Sequence, residues 1–238
     1  MKKIKNVIKF TSLDFALDMI KNKYIFFSNP LTFNDPLDSY FIQFLLKKQK
    51  GERRNLGSFL KIAEKKFIFC GTKEENIENV LMWAHYGDFH KGIVLKYKVP
   101  DKCLGRFEEV TYDGIKHIDF IEATGERNFF KIPTNKTPEE IEDLVTKSAF
   151  SKDKEWKYEE EIRYLKNFEK NELTTENGWD VESIYLGSEY LSNSNDNLEK
   201  IIDIVEFCSA ERIPVFRMKY SFCDETERFE LKKMEWMR

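Results

Sequence analysis

Three consecutive glutamates, Glu159, Glu160 and Glu161, and the nearby Arg163 are the residues of this chain whose types and spacing could do chemistry. They lie in the stretch KEWKYEEEIRYL, where the neighbouring aromatic and aliphatic residues favour a strand. Successive side chains of a strand point to opposite faces, so Glu159, Glu161 and Arg163 would share one face and Glu160 the other. Two carboxylates on one face raise each other's pKa unless a cation offsets their repulsion, which Arg163 can do. The spacing therefore predicts a carboxylate pair facing an aqueous groove, and a solvated sheet edge with an ion pair is the alternative.

The stretch LMWAHYGDFHKG, residues 81–92, holds two of the three histidines of the chain. If this stretch is helical, Trp83 and Tyr86 share one face and His85 lies on another. We predict that Trp83 packs in the core, while Tyr86, His85 and His90 supply a stacking ring and hydrogen-bonding groups for a ligand. The spacing of the two histidines is poor for a metal site on a helix. The alternative is that the aromatic rings only fill the core and a histidine caps the helix end.

The stretch SNPLTFNDPLD places Asn34 and Asp35 directly before a proline. An ordinary turn explains this pattern in most proteins. Our hypothesis is that Asn34 and Asp35 line the same cleft as Glu161, because a loop after a buried strand can deliver polar side chains to its mouth. The sequence contains no glycine-rich phosphate loop, no Ser-His-Asp order and no HExxH motif.

Net charge, cysteine spacing and the length of apolar runs limit the classes of protein to which this chain can belong. The formal net charge of -3 over 238 residues argues against a general nucleic-acid coat, although a local basic groove stays open. The four cysteines are too scattered to form a CxxC pair, so neither a zinc site nor a disulfide framework is indicated. No apolar run is long enough for a membrane span, and no apolar segment typical of a signal peptide follows the N-terminal lysines. We therefore expect a soluble cytoplasmic protein without a metal or a membrane segment.

The elements that must position these residues alternate irregularly between strand and helix. Hydrophobic periodicity and cap residues predict helices after Ser12, over 41–66, before Gly87, after Thr137 and over about 195–211. Strands are predicted in VIKF, YIFFSNP, KFIFCGTK, KGIVLKYKVP, RFEEVTYD, EEEIRYL (residues 159–165), VESIYLG and IPVFRMKY. Because this order lacks regular βαβ alternation, the predicted class is α+β. We expect a single domain over residues 1–238, with residues 171–238 as a C-terminal strand-helix-strand extension.

Four motifs in a fixed order carry a resemblance: FFSNPLTFNDPLD, LMWAHYGDFHKGIVLKY, KDKEWKYEEEIRYL and IYLG. They resemble a widespread family of prokaryotic and phage proteins of unknown function. That family shows a Phe-Asn-Asp-Pro loop, a Trp-Ala-His-Tyr helix end, a Lys-x3-Trp-x-Tyr-Glu-x-Glu-x-Arg segment and a late Leu-Gly strand. The family is similar to abortive-infection phage-resistance proteins, and its layout resembles the ADP-ribosyltransferase fold, including the DarT-type DNA-modifying toxins.

This resemblance implies a fold of mixed β-sheets flanked by helices that uses NAD. Glu161 would be the late-strand catalytic glutamate, Glu159 its upstream partner, and Tyr86 the ring that stacks on nicotinamide. The other residues that would hold the dinucleotide are Lys9, Asn34, Asp35, His85, His90 and Arg163. The acceptor would be a nucleic acid or a protein, and the chain would act in anti-phage defence or as a toxin, with an antitoxin or a defence-system protein as its partner.

Two other functions are compatible with the same residues. In a metal-dependent nuclease, Asp35, Glu159 and Glu161 would bind Mg²⁺, although the late strand lacks the acidic-x-Lys pair typical of such enzymes. In a catalytically silent sensor, the same cleft would bind a nucleotide or a phage protein. Thermal stability measured with NAD or with Mg²⁺ discriminates between these functions, because a ligand that binds the folded state raises the unfolding midpoint.

Overall fold

The computed structural model describes residues 4–33, 38, 61–113, 122–124, 129–131, 137–169, 174–191, 195–226 and 228–237. The chain divides into two compact units, each built from separate segments. The first unit contains Met1–Ile25, Gly71–Gly105 and Thr175–Arg238, and the second contains Phe26–Cys70 and Arg106–Thr174.

The helices and strands follow one another along the described chain without regular alternation. In chain order they are β1 (Asn6–Thr11), α1 (Leu13–Lys21), β2 (Tyr24–Phe26), β3 (Lys66–Thr72), α2 (Val80–Tyr86), β4 (Ile93–Lys98), β5 (Phe107–Glu109), β6 (Glu122–Thr124), β7 (Phe129–Lys131), α3 (Pro138–Ala149), β8 (Glu161–Asn167), β9 (Thr175–Asn177), β10 (Val181–Leu186), α4 (Asn195–Ala210), β11 (Val215–Cys223) and β12 (Arg228–Met237). Short 3-10 helices add Pro30–Thr32, Glu74–Glu78, Asp101–Cys103 and Lys154–Glu159.

The first unit contains a mixed sheet with the strand order β12-β11-β10-β4-β1. Neighbouring strands are antiparallel except β10 and β11, which are parallel and are connected through α4. Trp83 of α2 is fully buried in this unit. Its Nε1 donates a 2.7 Å hydrogen bond to the carbonyl of Ile77, and its ring packs edge-on against Phe10. The prediction that Trp83 belongs to the core is therefore confirmed.

In the second unit, β3, β8 and β5 are neighbours in that order, and β5 pairs antiparallel with β8. The core of this unit is aromatic: Phe27 packs against Phe69 and Tyr164, and Phe107 packs against the same two rings. Edge-to-face ring pairs add specific geometry to the burial of apolar area. Ile162 and Tyr164 of β8 are buried, and so are Glu161 and Arg163, so both faces of this strand are buried over residues 161–164.

The predicted combination of mixed β-sheet and flanking helices is confirmed, but several helix and strand boundaries differ from the prediction. The strand expected in YIFFSNP is only β2, because the chain enters a 3-10 helix at Pro30. The predicted helix before Gly87 is split into the 3-10 helix Glu74–Glu78 and α2. Residues 41–60 of the predicted helix over 41–66 lie outside the described residues. Residues 175–238 belong to the first unit, and the single domain with a C-terminal extension stays a prediction.

The start of α3 gives a direct test of local sequence signals. Thr137 accepts a hydrogen bond from the backbone N–H of Glu140, and the Glu140 carboxylate accepts one from the backbone N–H of Thr137. Replacing Thr137 by alanine should lower the free energy of unfolding by about 1 kcal/mol, because helix N–H groups lose their acceptor. Ser12 precedes α1 but makes no side-chain cap hydrogen bond, so Ser12→Ala should be close to neutral. Urea denaturation of both variants measures the difference, and equal losses would contradict it.

Candidate active site

The start of β8 differs from the predicted strand in a way that changes how the glutamates are positioned. Glu159 is the last residue of the 3-10 helix Lys154–Glu159, and β8 begins only at Glu161. Between them Glu160 adopts a left-handed conformation with φ 42° and ψ 45°. The alternation argument is therefore wrong for Glu159, since the backbone is not extended there. Glu159 and Glu161 still come together on the same Lys152, but their burial is the reverse of the prediction, because both are buried and Glu160 is exposed.

Lys152 brings the two buried carboxylates together. Its Nζ lies 2.6 Å from Oε2 of Glu159, 3.1 Å from Oε2 of Glu161 and 3.3 Å from Oδ2 of Asp38. The backbone fixes this lysine, because its N–H donates to the carbonyl of Thr111. The Lys152 ammonium also lies 5.2 Å from the centre of the Trp156 ring, a favourable cation–π distance.

Arg163 is the second cation and is fully buried. Its Nε and Nη2 donate to the two oxygens of Glu161 at 2.8 and 2.9 Å, which is a bidentate pair. Nη2 also contacts both oxygens of Asp38, at 2.8 and 2.7 Å. Nη1 donates to the carbonyl of Ala149, the last residue of α3, at 2.6 Å. The planar guanidinium thus connects β8, the end of α3 and Asp38.

Together Asp38, Lys152, Glu159, Glu161 and Arg163 form what we call the buried charge cluster. All five lie in the second unit, and none is more than 7% exposed. The cluster contains three carboxylates and two cations, so its formal charge is negative by one. The predicted aqueous groove is therefore wrong for these side chains, because the carboxylates face internal cations instead of bulk water.

Burial and charge act in opposite directions on Glu161. Burial alone would raise the pKa of its carboxyl, but the charges of Arg163 and Lys152 outweigh burial and lower that pKa well below its usual range. Burial would likewise lower the pKa of Lys152, and the charges of Glu161 and Asp38 raise it instead. The geometry therefore keeps Glu161 ionised and Lys152 protonated at neutral pH.

Tyr112 lies next to this cluster and is only half-buried. Its hydroxyl accepts a 2.7 Å hydrogen bond from the backbone N–H of Glu161, and the N–H of Val110 donates to the carbonyl of Glu161. Burial, followed by the charges of Glu161 and Glu159, raises the pKa of the Tyr112 phenol, so it stays neutral. The neutral phenol of Tyr112 thus holds the backbone of Glu161, the first residue of β8.

Other predicted ligand-binding residues belong to the first unit. Lys9 lies on β1 and is half-buried, His85 is exposed near the end of α2, and Tyr86 is half-buried beside it. His90 follows in a loop in which Asp88, Phe89 and His90 all have positive φ. Because they belong to a different unit from Glu159, Glu161 and Arg163, their shared ligand site stays a prediction.

The loop that carries His90 is held closely against the end of β10. The carbonyl of His90 accepts a hydrogen bond from the backbone N–H of Glu189. A Cβ added at Gly187 would lie 2.0 Å from the His90 carbonyl oxygen, so only glycine fits there. Burial lowers the pKa of His90, while the charge of Glu189 opposes that shift. This close approach gives a physical reason for the glycine that ends the IYLG stretch.

Asn34 and Asp35 lie outside the described residues, so their predicted place in a cleft is not tested. Among the residues that are described, no group of three or more His, Cys, Asp and Glu side chains is arranged to hold a metal ion. In the same part of the chain, no helix is long and apolar enough to cross a membrane.

Sequence reasoning missed two members of the buried charge cluster, Asp38 and Lys152. Both were visible in the motifs: Lys152 begins KDKEWKYEEEIRYL, and Asp38 ends FFSNPLTFNDPLD. Asn29 lies earlier in the motif that Asp38 ends, and its side-chain amide donates to the carbonyls of Ala63, Glu64 and Lys66. The signal available in the sequence was a charged residue at one end of each of these two motifs.

Comparison with known proteins gives a partial match. A family described as protein of unknown function DUF2971 matches residues 82–164. The matched segment is less than half of the chain, yet it contains Lys152, Glu159, Glu161 and Arg163, together with His85, Tyr86 and His90. Neither the curated proteins nor the solved structures gave a match. The chain is therefore similar to DUF2971 over this middle segment, which carries no assigned activity.

Proposed function

We propose that this chain is an NAD-dependent ADP-ribosyltransferase-like enzyme in which Glu161 is the catalytic carboxylate. The observation that supports the proposal is that Glu161 is held ionised although it is buried. Breaking the nicotinamide–ribose bond produces an oxocarbenium-like cation at the anomeric carbon, as in glycoside hydrolysis. A preorganised anion in a site that excludes water stabilises such a cation strongly.

The remaining residues of the cluster take supporting roles in this proposal. The bond's electron pair leaves with nicotinamide, the acceptor attacks the anomeric carbon, and Glu159 takes the acceptor's proton. Arg163 keeps Glu161 ionised and fixes its orientation. In this proposal Lys152 releases Glu161 before a substrate cation approaches. The contact of Lys152 with Glu161 is longer than its contact with Glu159, so it is the contact with Glu161 that opens. A role in anti-phage defence or as a toxin rests on the motif resemblance.

A catalytically silent binding module is the second candidate. It is favoured by a specific observation: both oxygens of Glu161 already accept hydrogen bonds from Arg163 or Lys152. Saturated carboxylates of this kind often serve structure alone. The nuclease alternative has less support, because the ammonium of Lys152 already lies between Glu159 and Glu161, two of the carboxylates that would bind Mg²⁺.

Ligand-dependent thermal unfolding separates these functions. At NAD concentrations about 100 times its dissociation constant, we expect stabilisation of about 2.7 kcal/mol and a midpoint higher by roughly 5–10 °C. Mg²⁺ at millimolar concentration should leave the midpoint unchanged. ADP-ribose, which lacks nicotinamide, is the matched control for binding through phosphate and adenosine alone. If Mg²⁺ raises the unfolding midpoint and NAD does not, the proposed enzyme is wrong and the nuclease is favoured instead.

A further inference from the structure

The hairpin of β11 and β12 exposes an unusual number of large apolar side chains. Five side chains on these two strands are at least 36% exposed: Tyr220, Phe222, Phe229, Met234 and Trp236. Phe222 and Phe229 form a cross-strand pair, with ring centres 5.3 Å apart, and Phe229 is 69% exposed. The register places Tyr220, Phe222 and Phe229 on one face of the hairpin and Met234 on the other. Exposed apolar residues that lie together on one face mark an interaction site more often than isolated ones do.

β12 also ends the strand order of the first unit, so its outer edge has no described strand beside it. The N–H of Lys233 donates to Oε1 of Glu78 at 3.3 Å and therefore points away from β11. Backbone groups of an antiparallel strand alternate in direction, so the N–H and C=O groups of Leu231 and Phe229 point outward as well. This edge offers a row of backbone groups that can pair with another strand.

We propose that β12 pairs with β12 of a second copy of this chain, antiparallel about a two-fold axis at Leu231. Two-fold symmetry requires that a residue be opposite itself at the centre. With Leu231 at the centre, Glu230 lies opposite Lys232 of the second copy, twice, and Phe229 lies opposite Lys233 of the second copy. Opposite charges and aromatic–cation pairs across strands are favourable. The pairing also covers Phe229, the most exposed aromatic of the hairpin.

The charges of β12 disfavour the neighbouring registers. A centre at Lys232 would place two lysines opposite each other, and a centre at Glu230 would oppose two glutamates and put Arg228 against Lys232. Like charges directly opposite each other in a sheet are destabilising. The charges that commonly protect edge strands from aggregation therefore disfavour both of these registers. A centre at Phe229 would also oppose unlike charges, Arg228 and Glu230, and Lys232→Glu discriminates it from the centre at Leu231, because Lys232 would then face no charge across the strands. The Glu78 side chain leaves the N–H of Lys233 when the second strand binds. The proposal is independent of the proposed enzymatic function.

Size-exclusion chromatography with light scattering on the full chain tests the dimer. We expect a mass of twice 28.5 kDa that falls towards one chain on dilution. Glu230→Lys or Lys232→Glu alone should raise the dissociation constant of the dimer about tenfold or more, because each opposes like charges. The double variant E230K/K232E should restore it to within about threefold of wild type, since the pair is exchanged but kept.

Lys98→Glu is the matched control, because it makes the same charge change at an exposed position on β4, three strands away from the edge, and should leave the dissociation constant unchanged. Circular dichroism of each variant verifies that the chain is folded. A wild-type chain that stays at the mass of one copy at the highest concentration measured overturns the proposal. So does a dimer whose dissociation constant responds to neither single charge reversal.

Discussion

Replacing Arg163 by methionine is expected to lower the free energy of unfolding by about 3–5 kcal/mol. Methionine keeps much of the volume of the side chain, so the loss arises from charge and hydrogen bonds. Glu161 and Asp38 would each lose two contacts and remain buried, with Lys152 as the cation that still contacts both of them. An uncompensated buried charge costs more than an exposed one, because water cannot solvate it. Chemical denaturation at neutral pH measures the change.

The pH dependence of stability gives a second readout of the same variant. The folded-state pKa of Glu161 lies below its unfolded value, so its contribution to stability is present above about pH 4.3 and is lost as pH falls through the folded value. Without Arg163, Glu161 loses the largest of the charges that lower its pKa, so that pKa should rise. The wild type should therefore lose stability on acidification below about pH 4, and the variant should lose less or gain.

Arg106→Met is the matched control for this prediction. Arg106 belongs to the same unit but is exposed, and the hydrogen bond that it donates to the hydroxyl of Tyr164 is long at 3.4 Å. We expect a loss of about 1 kcal/mol or less for an exposed contact of this kind. The prediction is contradicted if both variants lose a similar free energy of unfolding. It is also contradicted if Arg163→Met loses as much stability on acidification as the wild type.

Local sequence signals predicted the elements well where the backbone stays regular. Thr137 marked the start of α3, and Gly87 marked the end of α2. These signals depend on neighbours in sequence. β12 was not predicted. It pairs with β11, but its charged and apolar residues do not follow the regular burial pattern from which a strand is predicted.

The start of β8 could not be predicted from alternation alone. A run of three glutamates has no residue that announces a left-handed backbone, which Gly or Asn would commonly supply. Glu160 adopts that conformation because the 3-10 helix ends there and β8 must begin with its N–H on Tyr112. Lys152 and Asp38 were missed for a different reason. Their partners are distant in sequence or lie across a helix end, so spacing along the chain gives no register for them.

Replacing Glu161 by glutamine is expected to reduce NAD cleavage by about 10²–10³-fold, the usual cost of losing one key electrostatic group. Glutamine keeps the shape of the side chain but cannot stabilise a developing cation. The variant should remain folded, because two carboxylates and two cations remain in the cluster; we expect a loss of about 1–3 kcal/mol. Release of nicotinamide at saturating NAD measures the rate, and urea denaturation measures the stability.

Two neighbouring glutamates separate a catalytic role of Glu161 from a structural one. Glu160→Gln removes an exposed charge and should be close to silent in both measurements. Glu159→Gln removes a buried charge that contacts the same Lys152, so its loss of stability should resemble that of Glu161→Gln. Because Glu159 is proposed to act on the acceptor's proton, NAD cleavage should fall far less in Glu159→Gln than in Glu161→Gln. Equal losses of stability and of NAD cleavage in the two buried variants would make Glu161 a structural member of the cluster, and a wild-type chain without NAD cleavage would overturn the proposed function itself.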